Sequence, residues 1–393
     1  ELIKKCAEKN NVISISPIDK SIRNLSKISL HIAWNIQRGK SKNLIRFLID
    51  LIRMSILLRV LKPKLIHSHT LKANLIVSIC SSIFGIPCVL SFAGLGNLKK
   101  GQGYILLIII LRITYLVGTL ERVGLFNFKK NNLRTKYIFQ NQKDKLFFEK
   151  ICNPIKSHIS LISGSGLPEE LIILKNKKTE KSKKMEAAHS ENKINGCIYC
   201  GRLLRSKGVE IFINLSKIDN LRKYLIFGSI DKGSSDSLKE FEINKLKKIP
   251  NLKFMGFVKH PLLNFYKKNY VLVVPSIYGE GVPRAIAEAL FLEIPIICTR
   301  NALSDIFTNH MVYVVDKRDP NSFLNAMKKI EFEMNTSKFK KKILYGKNFV
   351  LKNMRERNIV NDTLKIYNTF ESQKNKIYLN RNYLTNSNQW IAK

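Results

Sequence analysis

Six short apolar runs recur after residue 193: CIYCGRL, RKYLIFGS, NLKFMGF, YVLVVPS, PIICT and MVYVV, with helical segments between most of them. Runs of four to seven residues, bounded by Gly, Pro and Ser and spaced by helix-length segments, read as parallel strands joined by crossover helices. The first half repeats the pattern. NVISIS (11–16), KLIHSHT, PCVLSFAG and KYIFQNQ read as strands. Residues 43–61 and LKANLIVSICSSIF read as helices. Two doubly wound α/β units follow, and sheets of this kind bind ligands in a crevice at the carboxyl ends of their strands.

The 393 residues are 45% hydrophobic and 25% charged, which suits two domains with real cores and excludes disorder throughout. Residues 1–166 make the first unit and 194–345 the second. Residues 167–193 contain the charge-dense KNKKTEKSKKMEAAHSENK (175–193), with little to bury, and read as a linker. Residues 346–393 read as a helix followed by a basic, polar tail.

With 68 Lys and Arg against 29 Asp and Glu, the net charge is +39. Such a field attracts nucleic acid, anionic lipid or phosphorylated metabolites, but a lysine-rich composition that coats solvated faces accounts for it equally well. The basic residues are dispersed and the chain has two tryptophans. A nucleic-acid groove would interleave aromatics with the cations, so a specific nucleic-acid partner is not expected. Seven cysteines, an odd number, lie mostly in apolar runs and read as reduced thiols of a cytoplasmic chain. Cys197 and Cys200 form one C-x-x-C with no second pair at zinc spacing. YILLIIILRITYLVGTL (104–120) carries Arg112 at its middle. It reads as a buried core helix or one lying on a bilayer surface rather than a span.

Chemistry concentrates in VLVVPSIYGEGVPRAIAEALFLEIPIICT (271–299). A buried strand ends at Pro275-Ser276, a loop follows, and Val282-Pro283 introduces a helix whose first free N–H groups suit a phosphate. Glu280 precedes that helix and Glu288 lies about 7 Å along it. One carboxylate on each side of a diphosphate could accept the hydroxyls of a ribose and of a hexose. Gly279 and Gly281 let a ligand approach the backbone. In CGRLLRSKGVE (200–210), Gly201 and Arg202 leave a strand and Lys207 precedes the next helix. Both cations can face a leaving diphosphate, whose charge grows as the glycosidic bond breaks. Read singly, Glu288 could be a solvated helix residue, and Arg202 and Lys207 ordinary surface cations. A glycoside hydrolase would use Glu280 and Glu288 as acid and base, but that reading leaves the cations without a role.

GRLLRSKG, with Glu280-Gly-Val-Pro and Glu288-Ala, resembles glycosyltransferase family 4, the retaining GT-B transferases. The likeness runs over about residues 1–370. It takes in LIHSHTLKANLI, LSFAGLGN, YIFQNQKD, SGSGLPEELI and the helices from DKRDPNSFLNAMKKI onward. It implies two Rossmann-like domains facing across a cleft, with the last helix returning to the first domain. A further strand and glycine-rich loop are expected ahead of Glu1. It implies that Glu288 bonds the nucleotide ribose and Glu280 the transferred sugar. Arg202 and Lys207 would hold the diphosphate, helped by the backbone at Gly201, Gly281, Val282 and Pro283. His69 would stand at the reaction centre, although a strand-end structural histidine fits its position too. Gly94 and Gly96 would shape the acceptor side. No metal or other cofactor is implied. The donor is a nucleotide sugar, a UDP-sugar by preference. The acceptor is a lipid-linked or polysaccharide chain of bacterial O-antigen, capsule or exopolysaccharide synthesis, met at the anionic inner face of the membrane. A basic nucleic-acid or membrane-surface binding protein without catalysis is the alternative.

Overall fold

The computed structural model describes residues 1–17, 26–34, 44–95, 103–122, 128–130, 134–182 and 193–370. Gly96, residues 183–192 of the expected linker and the tail from 371 lie outside them. In the first half, helix α1 (Leu2–Ala7) precedes the parallel pair β1 (Ile13–Ser16) and β2 (Leu30–Ala33). Next come α2 (Leu44–Leu61), β3 (Ile66–His69), α3 (Leu71–Phe84), β4 (Cys88–Phe92) and α4 (Gly103–Gly118). The antiparallel pair β5 (Leu120–Arg122) and β6 (Phe128–Lys130), then β7 (Thr135–Phe139), α5 (Gln142–Cys152) and β8 (Ile159–Leu161), complete it. Strands β3, β4, β7 and β8 form a parallel sheet in that order.

One face of this sheet, through Cys88, Leu90, Phe92, Tyr137 and Phe139, packs on Met54 and Leu58 of α2, Ile76 and Cys80 of α3, and Leu107 and Leu111 of α4. The apolar run 104–120 is therefore half a core helix. Leu107, Leu111 and Thr114 are buried, while Ile105, Ile109, Ile113 and Leu116 stay exposed. Among the described residues no helix is long and apolar enough to cross a membrane.

In the second half, α6 (Glu169–Ser182) leads to β9 (Gly196–Cys200), α7 (Val209–Ile218), β10 (Lys223–Phe227), α8 (Glu240–Leu246) and β11 (Leu252–Gly256). Then follow β12 (Tyr270–Val274), α9 (Arg284–Phe291), β13 (Ile296–Thr299), β14 (Tyr313–Val315), α10 (Pro320–Glu333) and α11 (Ser337–Asn353). The last helix, α12, spans 356–370. The six strands pair in parallel in the order β11-β10-β9-β12-β13-β14, so the order reverses between β9 and β12. That reversal opens the crevice where an open α/β sheet binds its ligand.

The charge-dense stretch expected to be a linker starts as helix α6. Leu171 is fully buried, and the buried Lys175 side chain sets its Nζ over the rings of Tyr266 and Phe291, 4.8 and 4.6 Å from their centroids. Its ammonium donates to the Phe291 carbonyl at 2.9 Å and to Glu293 at 3.0 Å. Polar sequence thus hides an amphipathic lysine that caps α9. Near the join the chain passes itself: the Leu167 N–H donates to the Met354 carbonyl at 2.6 Å and the Glu356 N–H to the Leu167 carbonyl at 3.0 Å. Beyond this crossing, Ile366 and Phe370 of α12 pack on Val89 and Ile138, covering the other face of the first sheet.

His67 shows how α12 is held. Its ring nitrogens meet Ser91 Oγ at 2.6 Å and the Tyr367 hydroxyl, and burial, with the nearby His69, pushes its pKa down to about 3. The unfolded chain, with a histidine near 6.5, binds this proton where the folded one does not. Stability from this site is present above about 6.5 and is lost as pH falls toward 3. Unfolding by urea followed from neutral to acidic pH should show the decline, and His67→Gln should flatten it.

Candidate active site

The loops after β9 and β12 converge because their backbones are locked together. Lys207 ends a short 3-10 turn, Arg205–Lys207, and Gly208 then adopts φ 75° to start α7. A Cβ on Gly208 would lie 2.0 Å from the Pro275 carbonyl oxygen, so only glycine allows the turn to press against the end of β12. The Ile277 N–H donates to the Ser206 carbonyl at 2.8 Å, completing the join.

This brings Lys207 Nζ to 2.9 Å from Glu280 Oε2. The buried Ser276 hydroxyl donates to the other carboxylate oxygen of Glu280, and the Ser276 carbonyl accepts from Thr299 Oγ1 at 2.6 Å. The Lys207–Glu280 pair is 20% and 10% exposed, so water screens it only partly. Arg202 Nη1 bonds Asp231 Oδ2 at 2.7 Å, and Ser206 is held by Asp236 through its N–H at 3.1 Å and through its hydroxyl. Tyr278 stands between these groups. Burial first, then the Glu280 charge, pushes its hydroxyl up to about 12, so it remains a neutral donor.

Arg202, Ser206, Lys207, Asp236, Tyr278 and Glu280 line one wall of a cleft of about 790 Å³. The other wall comes from the first sheet: Ala93, Gly94 and Leu95 after β4, and Gln140 after β7. The two walls nearly touch. A Cβ on Gly94, whose φ is 99°, would stand 3.0 Å from the Gly281 nitrogen, and a Cβ on Gly281 would stand 2.8 Å from Gln140 Oε1.

The cleft brings together Gly94, Arg202, Lys207, Glu280, Gly281 and Val282, and it is not lined by His69, Gly201, Pro283 or Glu288. Pro283 is the N-cap of α9. Glu288, 6% exposed, sits inside that helix and accepts from Arg284 Nε at 2.8 Å. Its charge, added to burial, raises the Cys200 thiol pKa, so Glu288 faces the end of β9 next to Gly201. His260 is buried 3.7 Å from Glu288 Oε1, and neither ring nitrogen makes a hydrogen bond. His69 ends β3 on the same carboxyl edge as Ala93–Leu95, its ring 4.3 Å from that of His67.

The sequence assigned no role at the site to Asp231, Ser276, Tyr278, His260 or Gln140. Each reaches the site from a loop, and only the GLY-rich and Pro-bounded edges of those loops were visible in the chain. Arg205, by contrast, is structural. It pairs with Glu210 at 2.8 Å and with Glu242, away from the cleft. Among the described residues, no three His, Cys, Asp or Glu side chains are grouped to hold a metal ion. All seven cysteines are free thiols.

Two parallel-sheet units facing across a cleft, with Arg202, Lys207 and Glu280 at the switch point of the second, define the GT-B architecture of glycosyltransferases. The chain is a glycosyltransferase, and its residues 195–331 match the family described as Glycosyl transferases group 1. Over 330 residues it is 26% identical to the capsular polysaccharide biosynthesis glycosyltransferase CapM of Staphylococcus aureus, covering 82% of this chain and 80% of that one. Sucrose-phosphate synthase from Thermosynechococcus elongatus superposes with a TM-score of 0.70 at 15% identity, over 95% of this chain and 92% of the other. HepE of Anabaena, in a crystal structure with UDP-glucose, superposes with a TM-score of 0.64 at 14% identity, over 94% of each chain.

Proposed function

We propose that this enzyme moves a sugar from a UDP-sugar to a lipid-linked or polysaccharide acceptor in the synthesis of bacterial cell-surface polysaccharide, with retention of anomeric configuration. The observation that carries the reading is the Lys207–Glu280 pair at the switch point of the second sheet, set opposite Gly94 of the first. The likeness to CapM supports the acceptor class, and the fold shared with HepE supports the nucleotide.

In this reading the diphosphate settles between Arg202, Lys207 and the backbone at Gly281 and Val282, with Pro283 setting the entry of α9. Glu288 accepts the ribose hydroxyls beside Gly201, and Glu280, held by Ser276, accepts hydroxyls of the sugar. As the glycosidic bond breaks, charge collects on the leaving phosphate, and the two fixed cations stabilise that charge in place of a metal ion. Attack from the same face lets a phosphate oxygen take the acceptor proton. Gly94 shapes the acceptor side, and His69 stands near the reaction centre. Cytoplasmic donor and membrane-borne acceptor meet at the inner face of the membrane, where the net charge of +39 favours anionic lipid.

Calorimetry with UDP and a panel of nucleotide sugars tests this. Glu288→Ala and Arg202→Ala should each weaken nucleotide binding by roughly 10-fold or more, the scale of a lost charge-assisted hydrogen bond. Unchanged affinity in both variants, or a response to oligonucleotides instead of UDP, would discard the assignment.

A further inference from the structure

We propose that the outer face of helices α2 and α4 is a membrane-binding surface that inserts apolar side chains among anionic lipids. On α2 the exposed residues Ile45, Ile49, Ile52, Ile56 and Val60 recur every three or four positions, and Ile52 is 59% exposed. On α4 Ile105, Ile109, Ile113 and Leu116 do the same, and Ile105 is 68% exposed. Such spacing draws one stripe along each helix. The opposite sides of both helices pack on the same face of the first sheet, on either side of α3, so the two stripes point away from that sheet together.

Apolar stripes of this length normally face a core or a partner. Charge names the partner here. Arg53 and Arg59 of α2 and Arg112 of α4 are exposed on the same helices, and none of the exposed residues of either helix is acidic. Asp50, the one carboxylate in the pair of helices, is buried and bonded to Trp34 and Lys72. A second copy of the chain would set arginine against arginine with no carboxylate to pair them. An anionic bilayer offers both parts: acyl chains for the isoleucines, and phosphates for arginines whose stems reach up along the helix. The helices lie in the interface, since neither can span it. The Ala93–Leu95 wall of the cleft follows β4 in this same unit, so a membrane-borne acceptor would be delivered to the first-sheet side. That last point rests on the proposed function; the binding surface itself does not.

Sedimentation of the whole protein with vesicles of phosphatidylcholine, alone or mixed with phosphatidylglycerol, tests the surface. The wild type should pellet with the mixed vesicles. The double variant Ile52→Glu/Ile109→Glu should lose roughly 10-fold to 100-fold in partitioning, because two isoleucines no longer leave water and two carboxylates oppose the lipid. Both positions are exposed, so circular dichroism, Tm and UDP affinity should stay at wild-type values. Binding that the variant retains, or that salt alone abolishes in the wild type, would assign adsorption to dispersed lysines and overturn the proposal. A wild type that ignores vesicles but forms a dimer lost in the variant would overturn it too, in favour of a self-contact. Failure of UDP binding in both proteins, with vesicle binding intact, would count against the proposed UDP-sugar donor and not against this surface.

Discussion

If the proposed donor site is right, Lys207→Ala should lower turnover about 10²–10³-fold, the loss typical when one preorganised donor to a developing oxyanion is removed. Its ammonium is half-buried at the switch point and already oriented by Glu280 at 2.9 Å, so little reorganisation would be needed on arrival of a diphosphate. At an effective dielectric of about 20, a unit charge about 4 Å away contributes about 4 kcal/mol, and the share that grows as the bond breaks appears in kcat. Release of nucleoside diphosphate from a donor that binds in calorimetry measures the effect. The variant should lose more in kcat than in affinity, since Arg202 and the Gly281 backbone still hold the ground state. Glu280→Gln, which keeps the shape and the Ser276 contact, should not add its full loss to that of Lys207→Ala, because the two side chains act as one unit. Additive losses, or a Lys207→Ala variant with wild-type turnover, would remove the pair from the chemistry.

Gly208→Val should destabilise the protein by more than about 4 kcal/mol, among the largest effects a single substitution produces. Two costs combine. A branched residue at φ 75° is strained by roughly 1–3 kcal/mol, and its Cβ would lie 2.0 Å from the Pro275 carbonyl oxygen, a distance no side-chain adjustment relieves. The loops after β9 and β12 must then part, and Lys207 leaves Glu280. Gly256→Val is the control. Its φ of 70° imposes similar strain, but a Cβ there meets nothing within 4 Å. Thermal unfolding of the two variants separates collision from strain. Equal Tm values would mean that the Gly208–Pro275 contact holds nothing together.

Much of the local geometry of the candidate site was legible because it follows from chain chemistry over a few neighbours. A strand that ends in Pro275-Ser276, a glycine-flanked Glu280 and a helix opened by Pro283 are consecutive in the chain, and the structure keeps them consecutive in space. Asp231 was not legible. It lies 29 residues from Arg202, and nothing in DKGSSDS distinguishes a cation's partner from an ordinary turn. His260 escaped for the same reason, being brought beside Glu288 by the packing of the loop after β11 on α9. The helix at Glu169–Ser182 was hidden by its composition. Counting charges suggested a linker, and only the pocket formed by Tyr266 and Phe291 shows that Lys175 is an inward-facing residue.

The order of short apolar runs and helical segments determined by itself that this chain forms parallel sheets, because side-chain period and turn residues act over a few neighbours. Which strands lie side by side, and hence that Lys207 meets Glu280 across 73 positions, was decided by the tertiary structure. So were the near-contact of Gly94 with Gly281 and the outward stripes of α2 and α4. A helical period shows that a face is apolar, but whether that face is covered depends on what the rest of the chain packs against it.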